Sequence, residues 1–245
     1  MQGGVVPFYG LSEALEAVEA AAKGGKPDPD KVLLPGVAEA DVILSEGDAK
    51  TALAAFGVPV PRFCQAQSPK EAGRLAAGLR APLALKGVGL AHKSEHGAVR
   101  LGLAAGDVAR AAAEIGTDGF LIEEMAAGGI AELLVGVTRD PAHGFVLTIG
   151  AGGVLTEILA DSVSVLVPSR REVVEQALTR LRCAPLLAGY RGKPGANIGA
   201  ILSVVEAVQA YVVANADRVS EVEINPLICT ANGAIAVDAL IRKAK

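Results

Sequence analysis

Apolar residues recur along this chain at two periods, and each change of period marks a change of element. In LSEALEAVEAAAK, residues 11 to 23, Leu15, Val18 and Ala22 fall on one face. That spacing predicts a helix, with Ser12 as its N-cap. The next stretch, GGKPDPDKVLLPG, reads as a linker or surface strap. A second helical pattern runs from Ser45 to Phe56 and stops at Gly57, before the extended VPVPRF. Ser68, Pro69 and Glu71 supply a cap, a first-turn proline and a capping-box glutamate, so a third helix is predicted to end near Leu79.

Short strands then alternate with helices. Pro82 to Lys86, Val99 to Leu103 and residues 120–125 (FLIEEM) predict strands, and Asp107 is placed to cap a helix reaching Ile115. Residues 62–122 therefore read as a small α+β unit. Further on, strands are predicted at Glu132 to Thr138 and Phe145 to Ile149, ahead of the loop GAGG. Ser169-Arg170-Arg171-Glu172 reads as another capping box, opening a helix to about Leu181, and Asn197 to Ala214 as a largely apolar helix. Two closing strands, Val219 to Cys229 and Ala234 to Leu240, meet across the hairpin signal Ala231-Asn232-Gly233. The expected organisation is an extension or linker at 1–40, a larger lobe from 41–61 with 123–245, and a smaller lobe at 62–122.

Composition narrows the function classes. The 245 residues carry 23 Lys and Arg against 27 Asp and Glu, a net charge of -4, which gives no basic stripe for nucleic acid. Aromatic residues are 3% of the chain and Trp is absent, which argues against base-stacking platforms. The three cysteines, Cys64, Cys183 and Cys229, are widely spaced and odd in number, as expected of reduced thiols in a cytoplasmic protein. MQGGVVPFYG lacks the basic start and apolar run expected of a signal peptide, and no apolar run has the length of a membrane span.

Four clusters could carry chemistry. In EVEINPL, Glu223 and Asn225 are two apart and share one strand face, and a hairpin brings Asp238 of AIAVDAL beside them. Three such oxygens suit Mg2+, which takes its remaining ligands from water and phosphates. The alternative is a solvated sheet face, although an acid within an apolar strand needs a partner. Lys86 ends the strand PLALK and precedes Gly87-Val88-Gly89, so it reads either as a phosphate contact or as a lysine extending off a strand edge. Neither a Walker A loop nor a GxGxxG fingerprint is present. The loop His92-Lys93-Ser94-Glu95-His96-Gly97 lacks a helix and a nearby cysteine to make zinc ligands of its histidines. It reads either as a solvated loop or as one that folds over phosphate, with His92 relaying a phosphoryl group. Glu123, Glu124 and Met125, followed by Glu132, resemble a hinge between lobes that reads adenine and ribose, or else a plain β-connection.

The segments AFGVPVP, LALKGVGLAHKSEHGAV, GVTRDPAHG, IGAGGVLTEILAD, LLAGYRG and EVEINPL with AVDA occur in one order over roughly residues 44–240. Together they resemble the ATP-grasp domain of the NDP-forming acyl-CoA synthetases, the group of ADP-forming acetyl-CoA synthetase and, more distantly, succinyl-CoA synthetase. The resemblance implies an α+β ATP-grasp fold, two lobes clasping ATP or ADP with Mg2+. It implies that Lys86 contacts the phosphates, that the hinge near Glu124 and Met125 reads adenine, that Glu132 serves the ribose, and that Glu223, Asn225 and Asp238 hold Mg2+. It gives His92 a part in a phosphohistidine relay. Lys93, Arg139 and Arg191 match positions where anion contact or loop anchoring is expected.

Two departures stand out. Glu95, His96, Gly97 and Ala98 replace the family's usual Asp and glycine pair, which narrows the backbone options at Ala98. Glu223 stands where closer relatives often carry Asp. The resemblance also implies a partner: a CoA-binding and phosphohistidine-bearing domain, or α-type subunit, that handles acyl-CoA and carboxylate. A stand-alone carboxylate–amine ligase and a non-catalytic nucleotide-binding or assembly module are the competing expectations.

Overall fold

The computed structural model describes residues 10–23, 33, 41–88, 97–153 and 160–244. They fall in two compact units, Met1–Val32 and Leu33–Lys245. Helix α1 (Leu11–Lys23) is the described element of the first, and its apolar positions Leu11, Leu15 and Val18 are exposed.

The second unit contains two antiparallel sheets. The larger is built from β1 (Asp41–Ile43), β6 (Ala131–Asp140), β7 (Gly144–Ala151), β8 (Ser162–Leu166), β9 (Val219–Cys229), β10 (Ala234–Ala236) and β11 (Ala239–Ala244). Its order is β1-β11-β9-β6-β7-β8, with β10 also paired to β9. The smaller sheet joins β2 (Phe63–Ala66), β3 (Leu83–Gly87), β4 (Val99–Leu103) and β5 (Phe120–Glu124) in the order β2-β5-β3-β4.

Each sheet has its own core. Helices α3 (Pro69–Ala76) and α4 (Val108–Ile115) bury Ala72, Ala76, Val108 and Ala112 against Leu83, Leu85, Phe120 and Ile122 of the small sheet. On the large sheet, α2 (Glu46–Ala54), α5 (Arg171–Thr179), the short α6 (Ala184–Ala188) and α7 (Ile198–Ala214) cover Leu133, Val135, Leu147, Ile149, Val222 and Ile224. Almost every turn of α7 contributes a buried residue, which accounts for its apolar sequence. Each fully buried aliphatic side chain of this kind contributes roughly 1.5–3 kcal/mol.

The helix starts read from sequence hold at three places. The side chains of Ser45, Ser68 and Asn197 accept from the amides of Asp48, Glu71 and Ala200. Three other expected caps fail. Ser12 lies inside α1, which starts at Leu11, and its hydroxyl donates to Glu16 Oε1. Asp107 already has helical backbone angles, and its carboxylate accepts from Arg110 instead. Ser169 donates its hydroxyl to the Leu166 carbonyl, so α5 starts from Arg170 without a side-chain cap. The expected final strand is also interrupted. At Val237 and Asp238 the carbonyl of Val237 turns to Lys86 instead of β9, separating β10 from β11.

Candidate functional site

The small sheet presents Lys86 near the end of β3, and α2 and the turn before β11 meet it. Lys86 Nζ bonds Glu46 Oε1 at 2.7 Å, Glu123 Oε1 at 2.8 Å and the Val237 carbonyl at 2.6 Å. Lys50, one turn after Glu46 on α2, bonds Glu46 at 2.9 Å and also Glu123. Burial alone would depress the ammonium pKa of Lys86. The charges of Glu46, Glu123 and Asp238 outweigh that effect and hold it above the ordinary lysine range. Lys86 therefore stays protonated between the two sheets.

Asp238 follows Val237 directly, and the register Ala239 to Ile224 sets it opposite Asn225. Along β9, Glu221, Glu223 and Asn225 share the half-buried face while Val222 and Ile224 enter the core. The pKa of Glu223 is raised, first by burial and then by the charge of Glu221; a hydrogen bond from Asn225 partly offsets both. Asp238 Oδ1 accepts from its neighbour's amide, Ala239 N, at 2.8 Å, and Asn225 Oδ1 accepts from Gly153 N at 3.0 Å. Among the described residues no group of three His, Cys, Asp or Glu could hold a metal ion. The set here is two carboxylates and one amide oxygen, with no nitrogen or sulfur ligand. Such a donor set fits Mg2+, which keeps waters and phosphate oxygens as its other ligands. The raised pKa of Glu223 fits as well, because a cation would relieve that repulsion.

The GAGG loop closes on the same region. Gly152 N donates to the Glu132 carbonyl at 2.8 Å. Gly153 has φ +78 and packs so closely on the Glu132 carboxylate that a Cβ would lie 2.0 Å from Oε2. The loop thus joins Glu132 on β6 to Asn225 on β9.

Other expected site residues are distributed differently. Glu123 is buried in the lysine cluster, whereas Glu124 accepts from Arg80 N at 3.0 Å and pairs with the guanidinium groups of Arg62 and Arg80. The amides of Glu124 and Met125 donate to the carbonyls of Arg62 and Pro82, and Met125 Sδ accepts from Gly102 N. Arg139 stands opposite Phe145 toward the far end of β6, seven residues from Glu132. At strand spacing that separation is roughly 23 Å, so the two do not share one small ligand. Arg191 is exposed at φ +50, with its guanidinium carbon 5.3 Å from the Tyr190 ring centre. His92 and Lys93 lie outside the described residues.

Glu46 and Lys50 were missed in the sequence reading. Their i,i+4 spacing resembles an ordinary surface pair. The available signal was that Glu46 and Lys50 share one helical face with the apolar Leu53; the structure buries that face.

Residues 36–242 match the ATP-grasp domain family. The chain belongs to that family. This ATP-grasp chain is 31% identical over 229 residues to the β subunit of ADP-forming acetate–CoA ligase II of Pyrococcus furiosus, covering 86% of this chain and 96% of that subunit. It is 31% identical over 259 residues to trans-feruloyl-CoA synthase FCS1 of an unknown prokaryotic organism, covering 96% of this chain and 36% of the synthase. It thus spans about a third of the synthase and nearly all of the β subunit. Among solved structures, one similar chain is from the dinucleotide-forming acetyl-coenzyme A synthetase 1 of Ca. Korarchaeum cryptofilum. It was solved with coenzyme A and Mg-AMPPCP, its phosphohistidine segment pointing towards the nucleotide-binding site. The TM-score is 0.72 at 27% identity, covering 92% of this chain and 96% of that one. Among the described residues no helix is long and apolar enough to cross a membrane.

Proposed function

We propose that this ATP-grasp chain is the nucleotide-handling component of an NDP-forming acyl-CoA synthetase in the cytoplasm. It binds ATP or ADP with Mg2+ and passes a phosphoryl group between a phosphohistidine and the nucleotide during interconversion of acyl-CoA and carboxylate. A CoA-binding, phosphohistidine-bearing domain or α-type subunit handles the acyl group. The reading rests above all on Lys86, a lysine held between two sheets beside the all-oxygen set of Glu223, Asn225 and Asp238. The likeness to a synthetase chain solved with Mg-AMPPCP supports it.

In this mechanism Lys86 supplies a positive charge to the phosphates, where phosphoryl transfer depends on positioning and charge stabilisation. Glu223, Asn225 and Asp238 hold Mg2+, which when bound neutralises phosphate charge. Glu132 receives the ribose, and the backbone after Met125 faces the base. His92 accepts or hands on the phosphoryl group, with Lys93 and Arg191 as anion contacts. Residues 41–61 and 123–245 form the larger lobe, 62–122 the smaller and 1–40 a linking extension.

Calorimetric titration of the full chain with ADP, with and without Mg2+, tests the reading. Saturable, Mg-dependent binding is expected, and Asp238→Ala should weaken it by at least about tenfold. Absence of saturable binding, or equal Mg dependence in wild type and Asp238→Ala, would overturn the assignment.

A further inference from the structure

Lys86 shares its counter-ions with a second, deeper lysine. An ammonium has three donors, and those of Lys86 are taken by Glu46, Glu123 and the Val237 carbonyl. A phosphate oxygen can therefore be bonded only in exchange for one of them. Lys50 bonds the same two carboxylates. Its side chain is 0% exposed and that of Lys86 10%, so Lys86 is the outer cation and Lys50 the inner one. Among the described residues, the charged groups around Lys86 are Glu46 and Lys50 from α2, Glu123 from β5 and Asp238 from the turn before β11.

Consider the exchange with Lys86 as the sole cation. Turning from a carboxylate to phosphate would leave that carboxylate buried without an ammonium partner, which is among the costliest arrangements a protein interior can hold. With Lys50 in place, both carboxylates keep an ammonium partner throughout. The arrangement also explains why a buried helix face carries a Glu–Lys pair where apolar residues would pack more simply.

Resting on the reading of Lys86 as a phosphate ligand, we infer that Lys50 is a positioning residue for the transfer site. It keeps Glu46 and Glu123 compensated so that Lys86 can exchange between these carboxylates and the nucleotide phosphate. The inner lysine never touches the nucleotide. Its effect on binding passes wholly through the mobility of Lys86.

The test is Mg-ADP titration of the full chain by calorimetry, in buffers of different protonation enthalpy, for wild type, Lys50→Met, Lys50→Arg and Lys86→Met. In Lys50→Met, exchange of one Lys86 contact for phosphate leaves a buried carboxylate that no lysine bonds, and that carboxylate takes up a proton. The expected result is a Kd weakened by about tenfold or more, with proton uptake on binding and an affinity that falls as pH rises. Lys50→Arg, which keeps the charge, should restore binding with little proton uptake. Should Lys50→Met fail to fold, Lys50→Gln, which keeps a donor and removes only the charge, carries the same expectation.

Wild-type affinity in Lys50→Met would overturn the inference. So would weaker binding without proton uptake, because a purely structural role predicts that pattern. Lys86→Met separates the two readings. If it binds Mg-ADP as wild type does, the phosphate role of Lys86 falls and the role of Lys50 falls with it. If Lys86→Met is weak and Lys50→Met unchanged, only the role of Lys50 falls.

Discussion

Gly152→Ala should damage this protein out of proportion to the single methyl group it adds. A Cβ at residue 152 would lie 2.5 Å from the Leu133 carbonyl carbon, 2.6 Å from its oxygen and 2.9 Å from Leu134 N. Ordinary contact begins near 3.4 Å, so the loop or β6 must give by about 0.9 Å, and all three atoms are backbone with no rotamer to change. The same displacement strains the bond from Gly152 N to the Glu132 carbonyl, now 2.8 Å. Overpacking at about 1–3 kcal/mol, plus a lost hydrogen bond at about 1 kcal/mol, gives an expected destabilisation of about 2–4 kcal/mol. Urea unfolding followed by circular dichroism measures it. Gly106→Ala is the control, because its Cβ would meet nothing within 4 Å, and it should stay within about 0.5 kcal/mol of wild type. Mg-ADP affinity should fall with Gly152→Ala as well, since the next amide, Gly153 N, holds Asn225. If Gly152→Ala and Gly106→Ala unfold alike, the packing of this loop on β6 is wrong.

Asp161 provides a pH test. Burial pushes its carboxyl up, but hydrogen bonds from the amides of Arg182 and Cys183, at 2.7 and 2.9 Å, outweigh that and hold its pKa below the usual value. A depressed carboxylate stabilises the fold above its unfolded pKa of about 3.9 and loses that contribution as pH falls through the folded value. Asp161→Asn should therefore cost about 1–2 kcal/mol at pH 7 and progressively less below about pH 4 in urea titrations; a constant difference across that range would contradict the assignment. Cys183 gives a chemical readout of the same contact: burial, then the hydrogen bond and charge of Asp161, push its thiol up to about 11. Iodoacetamide should alkylate it at pH 7.5 about two orders of magnitude more slowly than a free thiol, and Asp161→Asn should quicken the reaction. Rapid labelling of Cys183 in wild type would rule this out.

The parts of the site that the sequence made visible depend on local rules. Alternation along EVEIN puts Glu223 and Asn225 on one face because strand side chains alternate, and β9 keeps that alternation while pairing to both β6 and β11. Ser45, Ser68 and Asn197 worked as caps because their hydroxyl or amide groups reach amides three residues away. Ser169 did not, because its hydroxyl found the Leu166 carbonyl instead, a partner set by the turn out of β8. The strand β8 itself went unseen although SVSVL alternates, and β1, at three residues, is too short for a period to register. The lysine cluster is the opposite case. Lys86 meets Glu46, Glu123 and Val237 across 40, 37 and 151 positions of chain, so no local pattern could reveal it.

Glu123 and Glu124 carry that lesson into the chemistry. As a sequence pair they suggest two carboxylates at one hinge. Consecutive strand residues face opposite sides, so Glu123 enters the buried cluster with Lys50 and Lys86, while Glu124 turns outward to Arg62 and Arg80. The amides of Glu124 and Met125 are already spent on the carbonyls of Arg62 and Pro82, and that of Ile130 on Cys229. If the hinge reads the base as proposed, a backbone donor for the base edge would come from residues 126–129, between the end of β5 and β6. Side chains there are alanine and glycine, which offer no polar groups of their own and leave the main chain open to close approach. On the proposed reading, base recognition at this hinge would rest on four residues without functional side chains, while Glu123 and Glu124 are held by Lys50, Lys86, Arg62 and Arg80.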